Sequence, residues 1–248
     1  MRRLFALLLL AGLIVCAAFV PQREAQEQAK PARPEFDLDQ YQFGLLKRGP
    51  NWTAEKTPEL QKIQEGHMAN INKMAKAGKL MAAGPIMDNS DLRGIFIFKA
   101  ASLEEARTLA DEDPAIKSGR LTLELLTWRG IRGVGAKLQE TLKTDPNPKY
   151  TMTKYHLVLL KDAPDRVGEK PPEDLVLGHL THIRRMLDSN KMVTAGPFDN
   201  ERGLRGLYVL ATESADEAKT WADSDPAIKA GRLTSEIHPW LCAKEVWP

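Results

Sequence analysis

Hydrophobic and polar positions predict one series of structural elements in the first half of the chain. A run of apolar and aromatic residues over 41–47 predicts a strand. Thr57 and Pro58 suit an N-cap and a first helical position, and the apolar residues beyond them lie three or four apart, as on one helix face. Strands over 79–86 and 92–98, a helix opening on a capping box at 102–105 and a last strand over 121–128 complete the series.

The second half of the chain predicts the same series again. Its strands cover 154–161, 191–198, 204–210 and 233–240, and a second capping box stands at 214–217. Its first helix shows an apolar face through Leu175, His179, Ile183 and Met186. The order β-α-β-β-α-β is that of a ferredoxin-like domain, so we predict an α+β protein made of two such domains in tandem.

Identical residues recur 112 positions apart, which shows that the two series are copies. Ala-Gly-Pro at 83–85 returns at 195–197, Asp-Pro-Ala-Ile-Lys at 113–117 returns at 225–229, and Gly-His at 66–67 returns at 178–179. Without a gap, 28 of the 63 positions over 66–128 match those over 178–240. Because this period is far longer than the roughly 20–50 residues of solenoid repeats, it indicates duplication of a whole small domain.

Each predicted copy has an antiparallel sheet with both helices on one side, which leaves the other face of the sheet uncovered. Such a face has to be buried against another layer. The second copy on the same chain is the obvious partner. We therefore expect the two sheets to pack face to face as an intramolecular pseudo-dimer, and the protein to be a monomer.

The N-terminus has the pattern of a secretory signal peptide over 1–20. Arg2 and Arg3 precede an apolar run over 4–20, and Ala17 and Ala18 offer a cleavage point. We expect export to the periplasm or the medium, with no membrane insertion after cleavage. Two alternatives stay open: an uncleaved membrane anchor, since the run is nearly long enough to span a bilayer, and a lipoprotein acylated on Cys16.

Outside the leader, the pattern divides the chain into two domains and two linkers. A polar segment over 21–40 reads as a flexible linker, followed by a domain over 41–129. A Gly- and Pro-containing linker over 130–152, with a helical turn near 137–143, precedes a domain over 153–242.

Charge and cysteine content exclude several classes of function. The chain carries 35 basic and 33 acidic residues, and loss of the leader makes the two numbers equal, so no basic surface for nucleic acid is expected. The two cysteines, Cys16 and Cys242, exclude a disulfide scaffold and a cysteine-ligated zinc site. No phosphate-binding loop, dinucleotide fingerprint or nucleophile elbow occurs, and no cofactor is expected.

The repeated His and Asp residues are the candidate catalytic groups. His67 and His179 lie on the apolar helix face, where a histidine can be a core residue or, beside a carboxylate, a proton-transfer group. Asp113 and Asp225 open the sequence Asp-Pro-Ala-Ile-Lys-x-Gly, which predicts an N-cap, one helical turn and a terminal glycine. Capping explains the Asp by itself, and the same carboxylate could also orient the histidine.

The remaining candidate groups are arginines and a second histidine. Arg93 and Arg205 precede a strand, where they could clamp an anionic substrate or lie solvated in a surface ion pair. Arg120 and Arg232 are expected at the surface. His179 and His182 share a helix flank, but the spacing supplies no third metal ligand, so no metal site is predicted.

In each copy the chain resembles the YCII-related family. The resemblance rests on the helix-borne His, Ala-Gly-Pro after strand two, Arg-Gly before strand three, Asp-Pro after helix two and a terminal Trp, over about 41–128 and 154–240. It implies a ferredoxin-like fold paired into a dimeric α/β barrel. Ala115 and Ala227 stand where many members have an aromatic residue, a departure that alters the expected pocket.

The resemblance also implies a pocket that a His and an Asp share. Carried over, the pairs are His67 with Asp113 and His179 with Asp225. Members of the family are suspected enzymes, and one relative is a dehalogenase acting on a muconolactone-type substrate. Two hypotheses follow: an exported small-molecule enzyme of lyase, isomerase or hydrolase type that moves protons through His, or an exported module that binds a small molecule without turning it over.

Overall fold

The computed structural model describes residues 32–145, 147–200 and 203–248. The predicted signal peptide, Cys16 and most of the predicted first linker lie outside the described residues. No helix in the part of the chain that the structure describes is long and apolar enough to cross a membrane.

The first repeat forms a four-stranded antiparallel sheet in the order β2-β3-β1-β4. Helix α1 begins after the N-cap Thr57, with Pro58 in its first turn, as the sequence predicts. The elements are β1 (Leu38–Arg48), α1 (Pro58–Lys76), β2 (Leu80–Pro85), β3 (Leu92–Phe98), α2 (Leu103–Asp111), α3 (Pro114–Lys117) and β4 (Leu121–Ile131).

The second repeat has the same antiparallel topology, β6-β7-β5-β8. Helix α4 (Ala136–Thr144) connects the two repeats. The elements that follow are β5 (Met152–Asp162), α5 (Glu173–Asp188), β6 (Met192–Pro197), β7 (Leu204–Leu210), α6 (Ala215–Asp223), α7 (Pro226–Lys229), β8 (Leu233–Ala243) and a 3₁₀ turn (Lys244–Val246).

The two sheets close into one barrel, which confirms the predicted intramolecular dimeric α/β barrel. Strand β2 runs beside β8, and β4 beside β6. The amide of Met87 donates to the carbonyl of Pro239 at 2.8 Å, and the amide of Asp199 donates to that of Thr127 at 2.8 Å. The edges therefore pair as well as the faces, a feature that the hydrophobic pattern did not predict.

Glycines in the repeated Ala-Gly-Pro motif allow these edges to approach. A Cβ on Gly84 would lie 1.9 Å from the carbonyl oxygen of Leu241, and one on Gly196 would lie 1.8 Å from that of Arg129. Either contact is a hard clash with backbone. The glycine is thus required where one repeat meets the other, which gives a physical reason for its occurrence in both copies.

Alternating residues of each strand divide the core into an interior and two outer layers. The interior of the barrel is apolar and aromatic, with Phe43 in edge contact with Trp128 and with Phe198 of the other repeat. The opposite face of each sheet packs against its own helices, for example through Phe96 in the first repeat and Leu210 in the second. The barrel is a filled core, so space for a ligand lies outside it, between sheet and helices.

Several predicted boundaries are wrong by a few residues. Strand β1 begins at Leu38, inside the segment predicted as linker 21–40, and β4 runs on through Ile131. The predicted linker 130–152 therefore contains the end of β4, all of α4 and the first residue of β5, where only a helical turn was expected. These extensions are cross-strand pairings between β1 and β4, which local sequence does not encode.

Candidate functional site

In each repeat the Asp-Pro turn holds a buried carboxylate against the histidine of the long helix. Asp113 is the N-cap of α3, and its Oδ1 accepts a hydrogen bond from the Ala115 amide at 2.9 Å. Its other oxygen, Oδ2, lies 2.8 Å from Nδ1 of His67. Asp225 caps α7 in the same way and lies 2.7 Å from Nδ1 of His179. One carboxylate therefore both caps the turn and contacts the histidine, the two roles that the sequence suggested for it.

A glycine on α1 makes this contact possible. A Cβ on Gly66 would lie 2.8 Å from Cγ of Pro114, so the absent side chain lets α1 approach α3 closely. The next residue, His67, then reaches across to Asp113. The two residues of the repeated Gly-His pair therefore act together. The glycine allows the helices to approach, and the histidine contacts the Asp across that short distance. The contact between the two helices is less tight in the second repeat, since a Cβ on Gly178 would lie 3.4 Å from Pro226.

The carboxylate fixes the tautomer of the imidazole. Asp113 is fully buried. Burial raises the pKa of Asp113, but the hydrogen bond and charge of His67, together with the Ala115 and Asn70 hydrogen bonds, hold it below its ordinary value. Because an ionised carboxylate only accepts, Nδ1 of His67 carries the proton and Nε2 is the basic nitrogen. Among the described residues, Nε2 has no hydrogen-bond partner.

Each histidine lines a cavity between its helix and the outer face of its sheet. The first cavity, in the first repeat, has a volume of about 380 Å³ and is lined by His67, with its ring stacked on Phe96. The second cavity, in the second repeat, has a volume of about 460 Å³ and is lined by His179. Both volumes lie within the ~300–1,000 Å³ range of small-molecule sites, and the walls are largely apolar.

The cavities are completed by residues of the opposite repeat. Tyr150 and Met152, before and at the start of β5, line the first cavity. Phe36 and Leu38, before and at the start of β1, line the second. The ring of Phe36 is held there by the guanidinium of Arg184, 4.6 Å away. Each site therefore depends on the tandem arrangement and not on one domain alone.

Both predicted substrate-binding arginines line a cavity, and each has an arginine neighbour there, of which the surface prediction was wrong for Arg232. Arg93 and Arg120 line the first cavity, and Arg205 and Arg232 the second. Arg232, expected at the surface, is buried, because Asp162 accepts a hydrogen bond from it. That contact joins residues 70 positions apart, so no local sequence pattern predicts it.

The surroundings of the two histidines differ. Asn70 lies beside Asp113 in the first repeat, with its Nδ2 donating to Oδ2 at 3.4 Å. His182 takes this position in the second repeat, where burial lowers its pKa and its Nε2 is buried without a partner among the described residues. Tyr208 replaces Phe96 and also buries an unpartnered hydroxyl. The described residues contain no group of three His, Cys, Asp or Glu side chains arranged to hold a metal ion.

Comparison with known proteins agrees with this fold. The solved structures that resemble the chain include variants of the chlorite dismutase from Candidatus Nitrospira defluvii. One has a TM-score of 0.53 and 11% sequence identity, and the match covers 86% of this chain and 93% of that one. Another, solved with cyanide, has a TM-score of 0.52 and 11% identity over 84% of this chain and 92% of that one. At this identity the likeness defines the class of fold, a ferredoxin-like α/β barrel.

The chain belongs to the YCII-related family. The profile of the YCII-related domain matches residues 46–129 and again 155–241, which is more than half of the chain. The uncharacterized protein YjpA of Bacillus subtilis is 29% identical over 76 residues, which are 31% of this chain and 87% of YjpA. An uncharacterized protein of Haemophilus influenzae is 29% identical over 85 residues, 31% of this chain and 85% of that protein. Both relatives have the length of one repeat.

Proposed function

We propose that the protein is a small-molecule enzyme that moves protons through two His–Asp pairs, one in each cavity. The observation that carries the proposal is the position of the imidazole. In both repeats a buried carboxylate holds Nδ1 within 2.8 Å, while the same ring lines a cavity of ligand size. A histidine that served only as core packing would be enclosed by apolar side chains on every side.

The arrangement suits general base catalysis. Nε2 of His67 takes a proton from an acidic carbon or hydroxyl of the bound molecule, and the negative Asp113 stabilises the imidazolium that results. Nε2 then returns the proton to another atom of the same molecule, which completes an isomerisation, or to a departing group, which completes an elimination. His179 and Asp225 have the same geometry in the second cavity. Because the described residues that line the two cavities include no Ser, Thr or Cys, a lyase or isomerase fits better than a hydrolase with such a nucleophile.

The experiment begins with a metabolite library screened by thermal shift, and bound compounds are then incubated with the protein in D₂O. The proposal expects deuterium to enter a bound compound, or a product to form, and the double variant H67N/H179N to abolish this. His238→Asn is the control, since it removes an imidazole that also contacts carboxylates but lines neither cavity. Binding with no exchange or turnover by the unaltered protein would favour the alternative, a module that binds its ligand without catalysis.

We also propose that the protein is exported. The support is the sequence of 1–20, a basic start followed by an apolar run that ends in small residues. N-terminal sequencing of protein from the native host should begin near Ala18 or Phe19. A mature protein that begins at acylated Cys16 would identify a lipoprotein, and recovery of intact Met1 in a soluble cytoplasmic fraction would contradict export.

A further inference from the structure

Equivalent positions at the ends of two strands give the two cavities different charge. Arg48 ends β1 opposite Leu121, and Asp162 ends β5 opposite Leu233. The two repeats thus place a cation and an anion at the same point of the fold. Each position lies near the arginines of its own cavity, so the difference decides whether those arginines are already paired.

In the second cavity the arginines are paired within the protein. Asp162 is buried and accepts a hydrogen bond from Nη1 of Arg232, and its Oδ1 lies 3.8 Å from Nε of Arg205. Nη2 of Arg232 donates to the carbonyl of Glu169 at 2.8 Å. Arg33 also lines this cavity but is exposed, where solvent screens its charge.

At the first cavity the two lining arginines, together with Arg48 beside them, surround an aromatic ring and no carboxylate. The guanidinium carbons of Arg120, Arg93 and Arg48 lie 4.4, 5.2 and 5.6 Å from the ring centre of Trp52. Among the described residues none of the three lies within 4.0 Å of a carboxylate oxygen, and the residues that line this cavity include no Asp or Glu. Asp88 is the acidic residue whose backbone Arg93 contacts, and its side chain is already bonded to Ser90 and His238.

These arginines keep donors that the protein does not use. Nη1 of Arg93 donates to the carbonyls of Asp88 and Ser90, and Nη1 of Arg120 donates to the carbonyl of Thr53 at 2.9 Å. The Nε of Arg93 is buried without a partner among the described residues, as is that of Arg232, so the two cavities differ in the carboxylate of Asp162 and not in this atom. A guanidinium has five N–H donors. An anion would accept hydrogen bonds from the free donors and would also offset the repulsion between the adjacent cations.

We infer that the first cavity binds a small molecule through a carboxylate held by Arg93 and Arg120 against Trp52, and that the second cavity does not. In the second repeat the side chain of Asp162 pairs with the arginines, as the carboxylate of the ligand would in the first repeat. The anionic group would then be fixed near Arg93 of β3, while His67, which lines the same cavity from α1, faces the rest of the molecule. This names the substrate class of the first site and rests on the function proposed above.

Matched pairs of probes test the inference: benzoate with benzamide, cinnamate with cinnamamide and hexanoate with hexanamide. Binding to the full chain is followed by calorimetry and by the indole N–H signal of Trp52, assigned with Trp52→Phe. We expect at least one carboxylate to bind one equivalent and to shift that signal, and its carboxamide to bind at least about tenfold more weakly. Amides that bind as well as acids, two equivalents of carboxylate, or no carboxylate binding at millimolar concentration would overturn the inference.

Variants locate the site. Arg93→Gln and Arg120→Gln should each weaken carboxylate binding about tenfold or more, and Arg205→Gln should leave it unchanged. Asp162→Asn should create a second equivalent. Should that variant fail to fold, Arg48→Asp tests the same idea from the other side, because it supplies an internal carboxylate and should abolish binding in the first cavity. Binding that ignores Arg93 and Arg120 contradicts the assignment.

The His67→Asn variant separates this inference from the proposed catalysis. Carboxylate binding should persist in it, since His67 does not hold the anion. If carboxylates bind as expected but no turnover ever depends on His67, the proposed function fails and the anion site stands. If turnover depends on His67 while carboxamides serve as well as carboxylates, the anion site fails and the proposed function stands.

Discussion

Gly66 and Pro114 set the distance at which the long helix of the first repeat passes the Asp-Pro turn. A Cβ at position 66 would lie 2.8 Å from Cγ of the proline ring, closer than side-chain carbons approach each other. The His67–Asp113 hydrogen bond depends on that approach, since the two side chains extend from the residues next to this contact. The equivalent Cβ at Gly178 would have ordinary contact at 3.4 Å from Pro226.

The two glycines should therefore respond differently to the same substitution. Gly66→Ala should destabilise the protein by about 1–3 kcal/mol through overpacking, offset in part by the helix preference of alanine. Gly178→Ala should be neutral or stabilising by up to about 1 kcal/mol. Urea unfolding of both variants measures the difference. Equal losses at both positions would show that the helix contact is not what the glycine of the first repeat provides.

Asp113 can be tested separately as a helix cap and as the partner of His67. Asn caps a helix as well as Asp does, so Asp113→Asn should keep the turn folded and cost at most about 1.5–3 kcal/mol, the value of a hydrogen bond to a charged group. Its amide, however, can donate to Nδ1 and so place the imidazole proton on Nε2, which removes the base. Turnover in the first cavity should fall about 10²-fold or more. Full activity in Asp113→Asn would reduce Asp113 to a cap.

Much of this fold and part of the site could be predicted from sequence, because they are encoded locally. The N-cap Thr57, the Asp113 turn and its terminal Gly119 in the left-handed region all depend on residues within one turn of each other. The duplication supplied the pairing of the two sheets. The His–Asp pairs were implied by the resemblance to the YCII-related family, and the occurrence of the same residues in both copies supported them.

The features that sequence analysis missed depend on contacts between distant residues. Trp52 lies in a loop whose pattern says nothing about a cavity, yet the amide of Asn51 next to it bonds to the carbonyl of Gly119 and places the ring beside Arg120. Tyr150 lines the first cavity although it precedes β5 of the second repeat. The contrast between Arg48 and Asp162 was hidden because the offset between the repeats is not constant. It is 114 residues in the first strand of each repeat and 112 residues in the last strand.

One seam between the repeats contains a histidine held between two carboxylates. Nδ1 of His238 lies 2.8 Å from Asp88 of the other repeat, and Nε2 lies 2.9 Å from Glu236. Burial raises the pKa of both acids, but hydrogen bonds from Ser90 and His238 to Asp88, and from Lys161 and His238 to Glu236, leave both values lowered.

Because the folded state lowers these pKa values, it binds fewer protons than the unfolded state. Their contribution to stability is present above the ordinary values of 3.8 and 4.5 and is lost as the pH falls through the lower, folded-state values. The free energy of unfolding should therefore decrease as the pH falls from about 6 to 3. In His238→Leu, which copies Leu126 of the first repeat, this decrease should be smaller. An identical pH dependence in the variant would contradict the role of the seam.

Closure of the barrel should be sensitive to one added methyl group. Gly84→Ala and Gly196→Ala each place a Cβ within 2 Å of a backbone carbonyl of the other repeat. Since backbone on both sides would have to move, each should cost roughly 3 kcal/mol or more, and the double variant should expose the barrel interior. Dye binding and urea unfolding measure this, with Gly178→Ala as the control. Native stability in both variants would mean that the repeats do not meet at these edges.

The tautomer of the two paired histidines tests the proposed proton transfer most directly. In a ¹⁵N-edited spectrum of the histidine rings of the full chain, recorded where the rings are neutral, His67 and His179 should carry the proton on Nδ1 and show an unprotonated Nε2. Asp113→Asn should reverse this for His67 and leave His179 unchanged. A proton on Nε2 of either ring in the unaltered protein would contradict the account, because that nitrogen could not act as a base toward a molecule in the cavity.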